Sequence, residues 1–281
     1  MQSKTKTKKA PKKQQPEPPK IIYDEFAPVE EQHNIIFKPN EGPQTDFLAA
    51  SEREVLYGGS AGGGKSYAML ADPLRFMGHP AFSGLLLRHT TEELRELIFK
   101  SQEMYPKIWP GIKWSERKMQ WTAPSGARLW MSYLDKEDDV LRYQGLAFSW
   151  IGFDELTQWP SPFAWNYMRS RLRSTAKDLP VYMRATTNPG GRGHHWVKKM
   201  FIDPAAYGVS FDATDIETSE VLRYPAGHEK AGKALFKRKF IPARLRDNPY
   251  LAEQGDYEAM LLSLPEQQRR QLLDGDWDIK E

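Results

Sequence analysis

The stretch EVLYGGSAGGGKSYAML, Glu54 to Leu70, decides how the rest of the chain is read. Gly58, Gly59, Ser60, Ala61, Gly62, Gly63 and Gly64 offer almost no side chain before Lys65 and Ser66. Such a run is costly in backbone entropy, so it should hold something close to the main chain. Gly59, Ser60, Ala61, Gly62, Gly63, Gly64, Lys65 and Ser66 satisfy G-x-x-x-x-G-K-[ST] between an apolar strand and a helical pattern, the context a P-loop requires. In a P-loop the backbone N–H groups cradle phosphate oxygens at the positive end of a helix. Lys65 is then expected to reach the β- and γ-phosphates of ATP, and the Ser66 hydroxyl to ligate Mg2+.

Working outward, a chain of 281 residues, 40% of them hydrophobic, can bury one substantial core plus a small subdomain. It has no run of eighteen apolar residues and a mean hydropathy of −0.68, which argues for a soluble protein with no membrane partner. No apolar h-region follows Met1, so a secreted protein is not expected. Without cysteine there are no disulfides or zinc–thiolate sites, in keeping with a reducing compartment. The formal charge of +3 is uneven: residues 1–20 carry seven lysines against Glu17, leaving the remaining 261 residues at −3. That tail is expected to be disordered, as a linker or as a polyanion-binding arm. The body is not generally basic, so contact with nucleic acid must come from local patches or from the tail.

Strand and helix patterns then alternate. A short helix is expected at GPQTDFLAA and a strand at EVLYGG. A helix at GKSYAMLADPLRFM, a strand at SGLLLRHT and a helix from about Thr91 follow. KMQWTAPSGARLWMSYL reads as a hairpin turning at Pro124-Ser125-Gly126. FSWIGFDE, LPVYMRATTNP and GVSFDATD complete the strands. The alternation predicts an α/β fold with a mainly parallel sheet covered by helices on both faces, and no internal repeat is visible. From about Ala205 the character changes: residues 223–246 hold eight Lys/Arg against Glu229, and a helical pair follows. The division expected is a tail at 1–20, a P-loop core at 21–204 and a small helical lid or linker at 205–281.

A hydrolytic P-loop needs carboxylates at the end of a second buried strand. Asp154 and Glu155 close the apolar run SWIGF. Asp154 is expected in the Mg2+ shell, and Glu155 where it can orient and deprotonate water. Two strands precede this pair after the P-loop, which implies at least one strand inserted between them in the sheet. That is the added-glutamate, RecA-like (ASCE) branch of P-loop ATPases. Thr187 and Asn188, at the tip of the next strand, can sense a γ-phosphate or simply turn the chain before Pro189. An arginine is needed for transition-state charge: Arg142 is the first candidate, Arg244 and Arg246 the second, and a surface ion pair is the plain alternative for each. Gln44 can read the edge of adenine or act as a capping or surface amide. His194-His195 reads as packing rather than metal binding.

Together these residues resemble the large subunit of tailed-phage terminases. The resemblance rests on GPQTDFLAA, LYGGSAGGGKS, LLLRHTTEELRE, LRYQGLAFSWIGFDELTQW, SRLRS, TTNPGGRGHHWVKKMFID, FIPARLRDNPYL and LPEQQRRQLLDGDWD, over about residues 35–281. It implies an ATPase motor that drives double-stranded viral DNA into a procapsid from a portal-bound ring, usually a pentamer. Terminase small subunit is a partner, and the host cytoplasm at the portal vertex is the place of action. By the same resemblance Gln44 matches the adenine-reading glutamine, Lys65 and Ser66 the Walker A pair, Asp154 and Glu155 the Walker B pair. Thr187 and Asn188 match the motif that couples hydrolysis to movement, and Arg142 a finger acting on the neighbouring subunit's ATP.

The sequence departs from the family in two ways. Many relatives carry an arginine within the P-loop where this chain has Ser60 and Ala61, which favours an arginine supplied in trans. Family members also continue into an RNase H-like nuclease domain, and Asp276, Asp278 and Glu281 are no substitute for its carboxylates, so an ATPase without DNA cleavage is expected. Two other readings remain open: a related P-loop helicase, which needs a second RecA-like domain, and a nucleotide-gated module that docks the portal or small subunit.

Overall fold

The computed structural model describes residues 37–253 and 255–279; the lysine-rich tail at 1–20 and Glu281 lie outside them. The strands among these residues are β1 (Glu54–Gly59), β2 (Ser83–Arg88), β3 (Lys113–Ser115), β4 (Gln120–Thr122), β5 (Arg128–Tyr133), β6 (Trp150–Phe153), β7 (Tyr182–Thr187), β8 (Ser210–Asp212) and β9 (Lys237–Ala243). They form one sheet in the order β3-β4-β5-β2-β6-β7-β1-β9-β8. From β5 to β9 every pairing is parallel; β3, β4 and β8 are antiparallel additions at the two edges. The fold is the expected α/β P-loop architecture, with helices on both faces.

Alternation along the strands divides the core. Val55, Tyr57, Leu86, Leu129 and Trp150 point to one face, where they pack with α2 (Lys65–Ala71) and α3 (Thr91–Ile108). A preceding helix, α1 (Pro43–Ala49), adds Phe47 and Leu48 to that layer. Leu56, Leu85, Leu87, Ile151 and Phe153 point the other way, against α4 (Phe163–Arg169) and α5 (His194–Val197). Strands buried on both faces read as continuous apolar runs, which is why SGLLL and WIGF are legible as strands. α3 begins with a capping box: the Thr90 hydroxyl accepts from Glu93 N, and Thr90 N donates to the Glu93 carboxylate, each at 3.3 Å.

The structure corrects the expected order in three places. The inserted strand between β1 and β6 is β7, which follows the carboxylate pair in sequence; β2 and the hairpin lie on the far side of β6. Lys113–Ser115 adds an unexpected edge strand to the hairpin. The largest correction concerns 205–281: Lys237–Ala243 lies in no helical lid but forms a strand whose residues Arg238 to Ala243 pair with all of β1. Its three cations, Lys237, Arg238 and Lys239, mimic a solvated surface. Arg238 is nevertheless buried, because Glu54 at the start of β1 lies directly opposite and neutralises it at 2.7 Å. Helices are confined to the end of that segment, at α6 (Pro249–Ala252), α7 (Asp256–Leu262) and α8 (Glu266–Arg269).

Candidate active site

Parallel strands deliver their carboxyl ends to one edge of a sheet, and ligand sites form there. On this edge the loop after β1 is held by its carbonyls. Ser60 O accepts from Lys65 Nζ at 2.6 Å, Gly62 O from Asn248 Nδ2 at 2.6 Å, Gly63 O from the Tyr57 hydroxyl at 2.8 Å and Gly64 O from Gln44 Nε2 at 2.9 Å. In a planar trans peptide the following N–H points opposite to the carbonyl. The N–H groups of Gly63, Gly64 and Lys65 therefore lie on the side of their peptide planes opposite these engaged carbonyls. Gly64, at φ 72°, caps α2 in the left-handed region that glycine adopts freely, and a Cβ there would meet Gln44 Nε2 at 2.8 Å. The result is a set of converging donors at a helix start, able to hold an anion.

Asp154 and Glu155 leave β6 in different directions. Glu155 has φ 60° and ψ 54°, a left-handed conformation that costs a residue with a Cβ about 1–3 kcal/mol. Glu155 and Lys65 line one cleft of ≈ 590 Å³, together with Gly62, Gly63, Gly64, Ser66, Arg88, Glu93, Asn188, Asn248 and Tyr257. Burial, and then the charge of Asp154, push the Glu155 carboxyl above the ordinary glutamate range, although Lys65 and Arg88 oppose them. Burial lowers the Lys65 ammonium, against the pull of Glu155 and Asp154. Titratable groups shifted by burial together with specific charged neighbours collect at functional sites.

Asp154 lies deeper, with 1% of its side chain exposed. Arg88 Nε and Nη2 each approach its Oδ2 at 2.7 Å, and the Thr186 hydroxyl donates to Oδ1. Burial lowers the Arg88 guanidinium, but Asp154 and Glu155 outweigh it and raise the net value. Ser66 lines the cleft, and the Asp154 carboxylate beneath it is engaged by Arg88 and Thr186; these are the two oxygen donors that would have to hold Mg2+. Both are hard oxygens, and Mg2+ at nucleotide sites takes one or two carboxylates with substrate phosphates, so the donor set fits that ion.

The other expected residues divide between the cleft and its supports. Asn188 lines the cleft, and its Oδ1 is buried with no partner among the described residues. Thr187 turns away from it: its hydroxyl lies 2.7 Å from that of Thr157, just beyond Glu155. Gln44 is 4% exposed and spans Asn40 N and Gly64 O, bracing the loop. Arg142 stands outside on the turn Glu137–Tyr143, paired with Asp139 at 3.1 Å and 42% exposed. Arg244 and Arg246 line a different cavity, with Leu245, Glu258, Leu273 and Asp274. His194 stacks on Trp277 at 5.3 Å and accepts from Gly190 N, a packing role as expected. Asp276 pairs with Arg270 and accepts from Asp278 N at 2.8 Å, and Asp278 pairs with Lys198.

Residues 56–280 match the family described as terminase large subunit, T4likevirus-type, N-terminal. The chain belongs to this terminase family. In structure it resembles the large terminase of a thermophilic bacteriophage in complex with ATP-gamma-S, with a TM-score of 0.58 and 17% identity over 85% of this chain and 53% of that one. It also resembles the large terminase ATPase domain of Thermus phage P74-26, with a TM-score of 0.56 and 13% identity over 89% of this chain and 98% of that one. The chain thus spans about half the length of the nucleotide-bound terminase it matches. At these identities the likeness is one of fold. No curated protein sequence matches the chain.

Several residues of this terminase site escape a reading of the sequence. Asn248 and Tyr257 reach the loop from far along the chain. Thr186 is masked by its neighbour Thr187. Arg88 had a visible signal: it follows the apolar run GLLL at the carboxyl end of a parallel strand, where site residues collect.

Proposed function

We propose that this chain is the ATP-hydrolysing domain of a terminase large subunit, a motor that moves double-stranded viral DNA into a procapsid. One observation carries the reading: a strained glutamate and a buried lysine line one cleft together with the glycine loop. Lys65 and the loop hold the phosphates, Gln44 keeps one N–H and one lone pair for the adenine edge, and Glu155 takes the proton of the attacking water. Ser66 and Asp154 would hold Mg2+, which would offset charge on the phosphates. Asn188 lies where a change in the terminal phosphate is felt, and Thr187 passes that change to Thr157 and the turn after Glu155.

Membership of the terminase family supports the motor reading, as does fold likeness to a terminase solved with ATP-gamma-S. Portal, small subunit and a homo-oligomeric ring, a pentamer once assembled, are the partners that follow. They place the chain in the host cytoplasm at the portal vertex. Among the described residues no helix is long and apolar enough to cross a membrane.

The test is phosphate release by the wild type against Glu155→Ala and Lys65→Ala. Glu155→Ala is expected to bind ATP and release at least about 10²-fold less phosphate, the usual size of a general-base contribution. Lys65→Ala is expected to lose affinity. A wild type as inactive as Glu155→Ala at high protein concentration removes the hydrolytic reading.

A further inference from the structure

The fold fastens one cation to the carboxylate expected to serve a different one. Residues Leu87 and Phe153 are register partners in β2 and β6, and Asp154 N donates to Leu87 O at 2.9 Å. The next side chains, Arg88 and Asp154, are therefore brought together by the sheet itself. The guanidinium clamps Oδ2 with two nitrogens at 2.7 Å, while Thr186 occupies Oδ1. Both partners are almost wholly buried, at 8% and 1% exposure. Arg88 also borders the cleft, on whose wall stand Lys65, Ser66, Glu155 and Asn188.

A divalent ion and a guanidinium compete for such an oxygen. Two positive charges on one carboxylate oxygen repel strongly where water is scarce. The Arg88 clamp on Asp154 would be weakened if Asp154 and Ser66 took up a divalent ion. A freed guanidinium cannot remain unpaired in a buried site. The acceptors brought in with the ion are phosphate oxygens, and a planar guanidinium suits them well.

We infer that Arg88 is the chain's own γ-phosphate cation, clamped on Asp154 until a magnesium nucleotide displaces it and then turning to the terminal phosphate. The inference rests on the ATPase reading and supplies in cis the charge that Ser60 and Ala61 do not. Arg88 is distinct from Arg142, which lies outside the cleft.

Equilibrium binding of the magnesium complexes of ADP and of ATP-gamma-S tests it, with thermal melting to show that each variant is folded. The wild type is expected to prefer the triphosphate analogue. Arg88→Ala should lose that preference by roughly ten- to a hundredfold, the ratio a charge-assisted hydrogen bond of ~1.5–3 kcal/mol gives. Its affinity for the diphosphate complex should hold or rise, because Asp154 is released. Arg88→Lys, which keeps the charge and is the milder change to the fold, should retain most of the preference. If Arg88 only positions Asp154, Arg88→Ala weakens both nucleotides equally and the ratio stays at the wild-type value, which overturns the inference. A ratio lost equally in Arg88→Lys and Arg88→Ala also overturns it, since charge on the phosphate is then not what Arg88 supplies. A wild type that binds neither nucleotide refutes the ATPase reading itself, and a wild type that binds both while Arg88→Ala keeps the ratio refutes only the inference.

Discussion

Asn248 donates from its side chain to the carbonyl of Gly62 at 2.6 Å, joining positions 186 residues apart in sequence. The segment after β9 is thereby tied to the phosphate loop. A second bond, Ala61 N to Leu272 O at 2.6 Å, ties the loop to the chain beyond α8. Gly62 sits under the same cover: a Cβ there would meet Leu251, Leu245 and Tyr257 at 2.8–2.9 Å. Any change in the loop on nucleotide binding is therefore felt by this segment.

Asn248→Ala removes one tie. It is expected to cost ~1 kcal/mol, the net worth of a typical hydrogen bond, and to lower Tm by about 2–4 °C. Gly62→Ala should do more, since it drives a methyl into three side chains at φ 77°. Calorimetric melting of the two variants checks the order. An Asn248→Ala melt at the wild-type temperature excludes a stabilising tie.

Glu54 predicts a pH dependence. It is 0% exposed between Arg238 and Arg169. Burial works to raise its carboxyl, but the two guanidinium groups outweigh burial and hold it below the ordinary glutamate range. A lowered native value means that ionised Glu54 favours the folded state. That stability is complete above the unfolded value of about 4.3 and fades as the pH falls through the lower native value. Glu54→Ala leaves two guanidinium groups without their carboxylate and should cost ~3–5 kcal/mol near neutral pH. Urea titrations at neutral pH and near pH 3 should show the wild-type–variant gap narrowing in acid. A gap that widens there reverses the sign assigned to Glu54.

Arg142 predicts complementation. Its side chain stands outside the cleft, beside the exposed Leu141 and Leu146, where a neighbouring copy can reach it. Arg142→Ala should lower turnover by about 10³–10⁵, the range known for arginine fingers, with ATP affinity unchanged. Mixing inactive Arg142→Ala with inactive Glu155→Ala should restore part of the activity, because some subunit contacts then pair an intact arginine with an intact glutamate. No recovery at any mixing ratio argues that Arg142 does not act across an interface.

Six of the eight cations in 223–246 divide into two populations, Arg244 and Arg246 lining a separate cavity. Arg238 is buried, and Lys237 and Lys239 face Asp212 and Glu52 at 3.1 and 3.9 Å. Arg223, Lys230 and Lys233 are exposed on the loop that precedes β9. If this loop meets the phosphate backbone, replacing all three with alanine should reduce the slope of log affinity against log salt by about 3, close to one per cation. A slope equal to the wild-type value removes this loop from the DNA-binding surface.

Much of the fold was legible because its signals are local. Apolar runs marked the buried strands, and the helical pattern from about Thr91 marked α3. KRKFIPA was not legible as a strand: three adjacent cations read as solvated surface until Glu54 is seen opposite Arg238. At the site, Lys65, Glu155 and Asn188 could be named because each closes or follows an apolar strand. The turn of Thr187 away from the cleft could not, since Thr157 is what it turns towards.

The sequence by itself determined a phosphate loop, a carboxylate pair and an alternating α/β chain, because these depend on neighbours in sequence and on the backbone freedom of glycine. Only the tertiary structure decided that β7 separates the loop from the carboxylates, that β9 completes the sheet and that Arg88 clasps Asp154. Those outcomes join residues 66 to 184 positions apart. They follow from strand register and from the need of each buried charge for a partner, and no local pattern encodes either.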